Sequence, residues 1–166
     1  TAPRRPRSDH GASSIYQHVS FRQDTAYLSI GERTNANGSK AFREAMLEGR
    51  WDDCVRIAKD QIRDGAHLLD VCVDYVGRDG AGDMDEVAQR FATQSSVPLV
   101  LDSTEPEVLE AGLRWLGGRA ILNSANLEDS VTEGSRADRV FKLAKEYGAA
   151  VICLLIDEEG QARDVE

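Results

Sequence analysis

The sequence predicts an α/β fold made of repeated βα units, and three observations carry that reading. Five short apolar strands alternate with amphipathic helical stretches. A helix–Gly–Ala–strand junction occurs twice, at Gly65-Ala66 and at Gly148-Ala149. Each strand stops at or next to a carboxylate or an amide: Glu32, Asp70, Asp102, Asn123 and Asp157. Right-handed crossovers are expected between such units. They build either the first part of a (β/α) barrel or a doubly wound sheet, and periodicity alone does not choose between them. In both architectures ligands bind outside the carboxyl ends of the strands.

Residues 1–26 differ in character from the rest of the chain. Pro3, Arg4, Arg5, Pro6 and Arg7 precede small polar residues with no helical or strand period, which reads as an irregular linker or arm. Arg4, Arg5 and Arg7 could bind phosphate or an acidic surface; a solubilising tether is the plainer reading. The regular domain is expected over residues 27–166. Its first strand, 27–30, leads into a Gly/Asn-rich loop through Ser39, where backbone amides can approach a ligand closely. Ser39 can cap a helix that ends at Gly49, and a second helix presents Trp51, Cys54, Val55, Ala58 and Ile62 on one face before Gly65.

The second strand, 66–73, is nearly all apolar, as expected of a strand covered on both faces. A Gly/Asp-rich loop over 74–82 precedes a helix marked by Met84, Val87, Ala88 and Phe91. Residues 98–101 form the third strand. Ser103 and Thr104 are candidate caps for the next helix, which carries Pro106 in its first turn and ends at Gly117-Gly118. A brief strand at 120–122 ends at Asn123. The helix from Arg136 to Tyr147 shows the stripe Ala137, Val140, Phe141 and Ala144, Gly148 terminates it, and 149–156 is the fifth strand.

The 166 residues fit one domain with a real core. A net charge of -9 argues against a nucleic-acid surface, which needs Lys and Arg in excess. The longest apolar run, 149–156, is too short to cross a bilayer. No signal-peptide pattern appears and the chain opens on Thr1, as expected of an excised or processed piece of a cytoplasmic protein. Cys54, Cys72 and Cys153 are widely spaced and read as buried small hydrophobes rather than a disulfide framework or zinc site. His10, His18 and His67 are equally scattered, and His67 reads as a packed or surface residue.

Carboxylates and an amide at one strand mouth suit a metal or a flat, multiply hydrogen-bonding heterocycle. Glu32, Asp70, Asp102 and Asp157 could offer Mg²⁺ oxygen ligands, but the intervening Asn123 and the lack of histidine weaken that case, and no metal is expected. A heterocycle with adjacent N–H and NH₂ groups matches one carboxylate in bidentate fashion, while an amide both donates and accepts. Asp70 and Asp157 read equally well as ordinary turn residues. Asp102 and Asn123 each follow a buried strand directly and precede a serine, which sets them at the rim.

The stretch Ile30-Gly-Glu-Arg-Thr-Asn-Ala-Asn-Gly-Ser-Lys40 resembles the pterin-binding domain of cobalamin-dependent methionine synthases. The resemblance continues in unbroken order through Asp64-Gly-Ala-His-Leu-Leu-Asp-Val71, Val97-Pro-Leu-Val-Leu-Asp-Ser-Thr104, Ile121-Leu-Asn-Ser124 and Asp157-Glu-Glu-Gly-Gln-Ala162. It implies a TIM-type barrel that holds 5-methyltetrahydrofolate at the strand ends. By the resemblance, the loop with Glu32, Asn35, Ala36 and Asn37 closes one side of the pterin, and Asp102 and Asn123 hydrogen-bond the ring; Asp70 and Asp157 are further candidates. The implied reaction moves a methyl group from N5 to the cob(I)alamin of a separate domain and onward to homocysteine on another. A tertiary amine leaves poorly unless it is protonated or strongly hydrogen-bonded as the bond breaks. Because reduced cobalt is the nucleophile, no Ser-His or Cys-His pair is required.

A complete barrel needs eight strands, and about five βα units are legible here. In the resembling family a further Asp and an Asn contact the pterin from later strands. The expectation is therefore a fragment whose isolated form is inactive, or a chain that buries its open parallel edges by self-association. Two alternatives accompany this reading: a dihydropteroate synthase-like pterin transferase, and a non-catalytic half-barrel that self-assembles.

Overall fold

The computed structural model describes residues 10–24, 26–127, 131–157 and 159–161. Its main sheet has six strands in sequential order: β3 (Ile30–Gly31), β4 (Leu68–Val71), β5 (Leu99–Asp102), β6 (Ile121–Leu127), β7 (Ala150–Asp157) and β8 (Gly160–Gln161). β3 to β7 pair in parallel, while β8 turns back antiparallel on the end of β7. Between the parallel strands run α1 (Lys40–Leu47), α2 (Trp51–Arg63), α3 (Gly80–Gln94), α4 (Pro106–Leu113) and α5 (Arg136–Tyr147). A doubly wound sheet reverses its strand order at a switch point and carries helices on both faces. Here the order never reverses, so the sheet is a curled part-barrel and the barrel alternative holds.

The strand alternation shows why. Side chains along a strand point to opposite faces. Leu69, Val71, Leu99, Leu101 and Leu122 point outward, into one core shared with helix residues such as Met84, Phe91, Leu109 and Val140. Leu68, Val100 and Ile121 point inward, into a second cluster that contains no helix residue. Burying each such side chain stabilises the fold by about 1.5–3 kcal/mol.

Local sequence sets the helix ends. Ser39 and Ser135 accept hydrogen bonds from the Phe42 and Asp138 amides as N-caps, and Asp79 does the same for Gly82. Gly148 takes φ 69° to close α5, a conformation that a side chain disfavours. For α4 the expected caps are corrected. Glu105 is the N-cap and its side chain makes no capping bond; the Ser103 Oγ accepts from the Glu105 amide while donating to Asp74.

The irregular arm is also corrected. Residues 11–20 hold a β-hairpin, β1 (Gly11–Ser13) and β2 (His18–Ser20), while Arg4, Arg5 and Arg7 lie outside the described residues. Ala12 is fully buried against Leu68, Val100 and Ile121, so the hairpin floors the barrel at the amino ends of the strands. Ser13 bonds both ways with Arg119, its N–H donating to the carbonyl and its Oγ accepting from the amide. Gly118 permits this approach, since a Cβ there would lie 1.9 Å from the Ser13 carbonyl oxygen. Cys54 and Cys72 are buried as expected; Cys153 is exposed on β7. His67 has a structural role, its Nδ1 accepting from the Ser29 amide. Among the described residues no helix is long and apolar enough to cross a membrane.

Candidate functional site

At the carboxyl end of the sheet the inward positions turn polar. Two residues beyond Leu68 stands Asp70, two beyond Val100 stands Asp102, and two beyond Ile121 stands Asn123. Asp102 and Asn123 are register partners on β5 and β6, which sets them side by side. Asp70 is buried at 6% exposure on β4.

The loop after β3 is stitched across this rim. Thr34, fully buried, donates its hydroxyl to the Asp70 carbonyl at 2.6 Å and accepts from Gln61 Nε2 at 3.2 Å. Gln61 in turn accepts from the Arg33 amide at 2.7 Å. Asn35 bridges to Cys72 in parallel, and the Ala36 amide donates to the Cys72 carbonyl at 2.9 Å. Asn35 Nδ2 reaches Asp70 Oδ2 at 2.7 Å and Asp102 Oδ2 at 3.1 Å. Asn37 Nδ2 lies 3.5 Å from Cys72 Sγ.

The structure thus gathers Asn35, Ala36, Asn37, Asp70, Asp102 and Asn123 at one rim. Glu32 is exposed at the start of the loop and close enough to raise the Asp70 pKa. Asp157 stands apart. Ile152 is level with Asn123, and Asp157 lies five residues farther along β7, about 16 Å at strand spacing. Its Oδ1 accepts from the Glu159 amide and forms the β7–β8 turn.

Burial shapes the charges. Loss of hydration pushes Asp102 up to about 6, reinforced by Asp70 and Asp74 and opposed by Asn35 and Arg136. Asp70 is also raised, chiefly by burial and further by Glu32, against hydrogen bonds from Asn35 and Asn123. Burial pushes the Cys72 thiol up to about 12, so it stays a neutral packing group.

Three residues of this region escape sequence reasoning. Asp74 accepts from Ser103 Oγ at 2.8 Å and from the Thr104 amide at 3.1 Å, tying the loops after β4 and β5 together. Arg136 donates to the Thr104 and Ser103 carbonyls at 2.8 and 3.2 Å. Gln61 anchors the loop from within an otherwise ordinary amphipathic helix. A carboxylate and two hydroxyls just beyond neighbouring strands were the available signal for Asp74; nothing local marked the other two.

The rim offers acceptors from carboxylates and a mixed donor–acceptor amide side by side, which suits a planar heterocycle carrying N–H groups. Among the described residues no group of three or more His, Cys, Asp or Glu side chains is arranged to hold a metal ion. A substrate pyrophosphate would want free cations here, whereas Arg33, at the first strand end, is ion-paired with Asp64, and Arg136 donates to the Ser103 and Thr104 carbonyls.

The sequence profile described as "Pterin binding enzyme" matches residues 31–166. The chain is 58% identical over 154 residues to a methionine synthase of Mycobacterium tuberculosis, covering 93% of this chain and 13% of that protein. It is 54% identical over 169 residues to the methionine synthase of Mycobacterium leprae, covering 100% of this chain and 14% of that protein. The chain therefore spans about one seventh of these curated relatives. Among solved structures it resembles a Xanthomonas albilineans dihydropteroate synthase in complex with indole-2-carboxylic acid and 6-chloroguanine. That match has a TM-score of 0.56 at 16% identity, over 90% of this chain and 50% of that one, and it speaks to fold.

Proposed function

The chain belongs to the pterin-binding enzyme family, and from that premise we propose that it is the N-terminal part of the folate barrel of a cytoplasmic methionine synthase, presenting 5-methyltetrahydrofolate for methyl transfer. The observation that carries this reading is the side-by-side placement of Asp102 and Asn123 on neighbouring strand ends, facing the same barrel interior. Asp102, as the carboxylate, accepts from ring N–H groups; Asn123 donates to one ring atom and accepts from another. The loop containing Glu32, Asn35, Ala36 and Asn37 walls one side, held by Thr34 and Gln61.

These residues bind and orient the pterin edge. The methyl acceptor belongs to a separate cobalamin-binding domain of the parent polypeptide, whose reduced cobalt supplies the nucleophile, and homocysteine is handled by a further domain. What remains for the barrel is preorganisation: hydrogen bonds to the ring that strengthen as N5 becomes an amine leaving group.

The test is a titration of the full-length polypeptide with methyltetrahydrofolate. Asp102→Ala and Asn123→Ala should each weaken binding by about 10- to 100-fold, as for a lost hydrogen bond to a charged or buried group. Unchanged affinity in both variants would rule out the strand-end pocket as the pterin site.

A further inference from the structure

Asn35 sits where a ligand-binding amide would be expected, yet its side chain is already fully used. A primary amide has two N–H donors and an oxygen with two acceptor sites. Both donors go to carboxylates, Asp70 Oδ2 at 2.7 Å and Asp102 Oδ2 at 3.1 Å. The oxygen accepts from the Asn37 amide at 2.9 Å and from the Gly38 amide at 3.3 Å. No hydrogen-bonding capacity remains for a substrate. Without the amide, Asp70 and Asp102 would be neighbouring like charges with no donor shared between them.

We propose that Asn35 is a positioning residue: it binds the Asp70 and Asp102 carboxylates into one unit, fixes Asp102 toward the pterin, and does not itself touch the ring. This rests on the functional reading above and deepens it. The groups that face Asp102 are Asp70 on β4, Cys72 and Asp74 just after it, and Arg136 at the start of α5; Asp70 in turn faces Glu32 beyond β3. Most of these are acidic side chains. The Asn35 amide and the Arg136 guanidinium are the groups that favour the charged form of Asp102. Removing the amide therefore raises the pH at which Asp102 takes up a proton and ceases to accept from the ring.

Asn35→Asp is the discriminating variant. It keeps the oxygen that accepts from the Asn37 and Gly38 amides, so the loop turn survives, but it replaces the shared donor with another carboxylate. Affinity of the full-length polypeptide for methyltetrahydrofolate is measured from pH 5 to pH 9. In the parent, affinity should fall as pH drops through about 6. In Asn35→Asp the midpoint should rise by about one pH unit or more, the effect of an added neighbouring carboxylate. Affinity near pH 7 then drops about twofold for a one-unit shift, about tenfold for a two-unit shift, and recovers toward pH 9. Asn35→Ala should shift the midpoint the same way by less. A uniform loss at every pH would mark Asn35 as merely structural and overturn the proposal, as would an unchanged curve. A parent that binds no methyltetrahydrofolate at any pH overturns the functional reading itself, whereas a binding parent with an unshifted Asn35→Asp curve overturns this proposal alone.

Discussion

The two ends of the part-barrel are built from the same strands and do opposite work. Leu68 and Asp70, Val100 and Asp102, and Ile121 and Asn123 each stand two positions apart on one strand, and all six point inward. At the amino end the first of each pair meets Ala12 of the hairpin in a dry cluster. At the carboxyl end the second joins a hydrogen-bonded group of raised-pKa carboxylates. One step of strand periodicity thus converts stabilising burial into burial that costs free energy. The lesson is that the floor is held by apolar packing, whereas the rim is held by hydrogen bonds from Thr34, Asn35 and Ser103.

The most severe way to break this contrast is at the floor. Leu68→Ala should destabilise the protein by about 2–5 kcal/mol, read from denaturant unfolding, because a fully buried inward side chain leaves a cavity. An effect under about 1 kcal/mol would mean that the hairpin and Leu68 do not share a packed cluster.

At the rim the sign should invert. The folded-state pKa of Asp102 is about 6 against an ordinary 3.8, so the folded protein binds a proton more readily than the unfolded chain between those values. Stability linked to this group therefore falls as pH rises through that window, and the full penalty stands above pH 6. Asp102→Asn removes it while keeping an acceptor for Asn35. The variant should be more stable than the parent by about 1–2 kcal/mol at about pH 7.5, discounting for partial solvent screening, and equal to it below about pH 4. A stability gain that persists at low pH would assign the effect to something other than ionisation.

Smallest is a change remote from both ends. Ser135→Ala removes the N-cap of α5 and should cost about 1 kcal/mol with no change in pterin affinity. If affinity falls as well, Arg136, one residue on, is transmitting the helix position to the rim.

Much of this contrast was legible in the chain. Apolar strands ending in Asp102 and Asn123 follow from local pattern, because a strand covered on both faces leaves little ambiguity about where it ends. The helix boundaries at Ser39, Gly148 and Tyr147 follow from capping chemistry. The floor was not legible. Gly11 to Ser20 are mostly small or polar, and what orders them is a contact with Arg119 and a cluster assembled from three distant strands. No short window of sequence contains that information. The double use of Asn35 was hidden for a similar reason: its partners lie 35 and 67 residues away, on two strands. Asp70 and Asp157 looked alike as strand-end aspartates; tertiary placement separates them, one buried beneath the Asn35 amide and the other spent on a turn.

The Ser13–Arg119 contact carries a consequence for biosynthesis. It joins residues 106 positions apart, so at about 5–20 residues per second the hairpin emerges from the ribosome roughly 5–20 s before its docking partner exists. Through that interval Leu68 and then Val100 leave the exit tunnel with the bottom of the barrel open, which makes the nascent protein most dependent on chaperone protection just before β6 is translated.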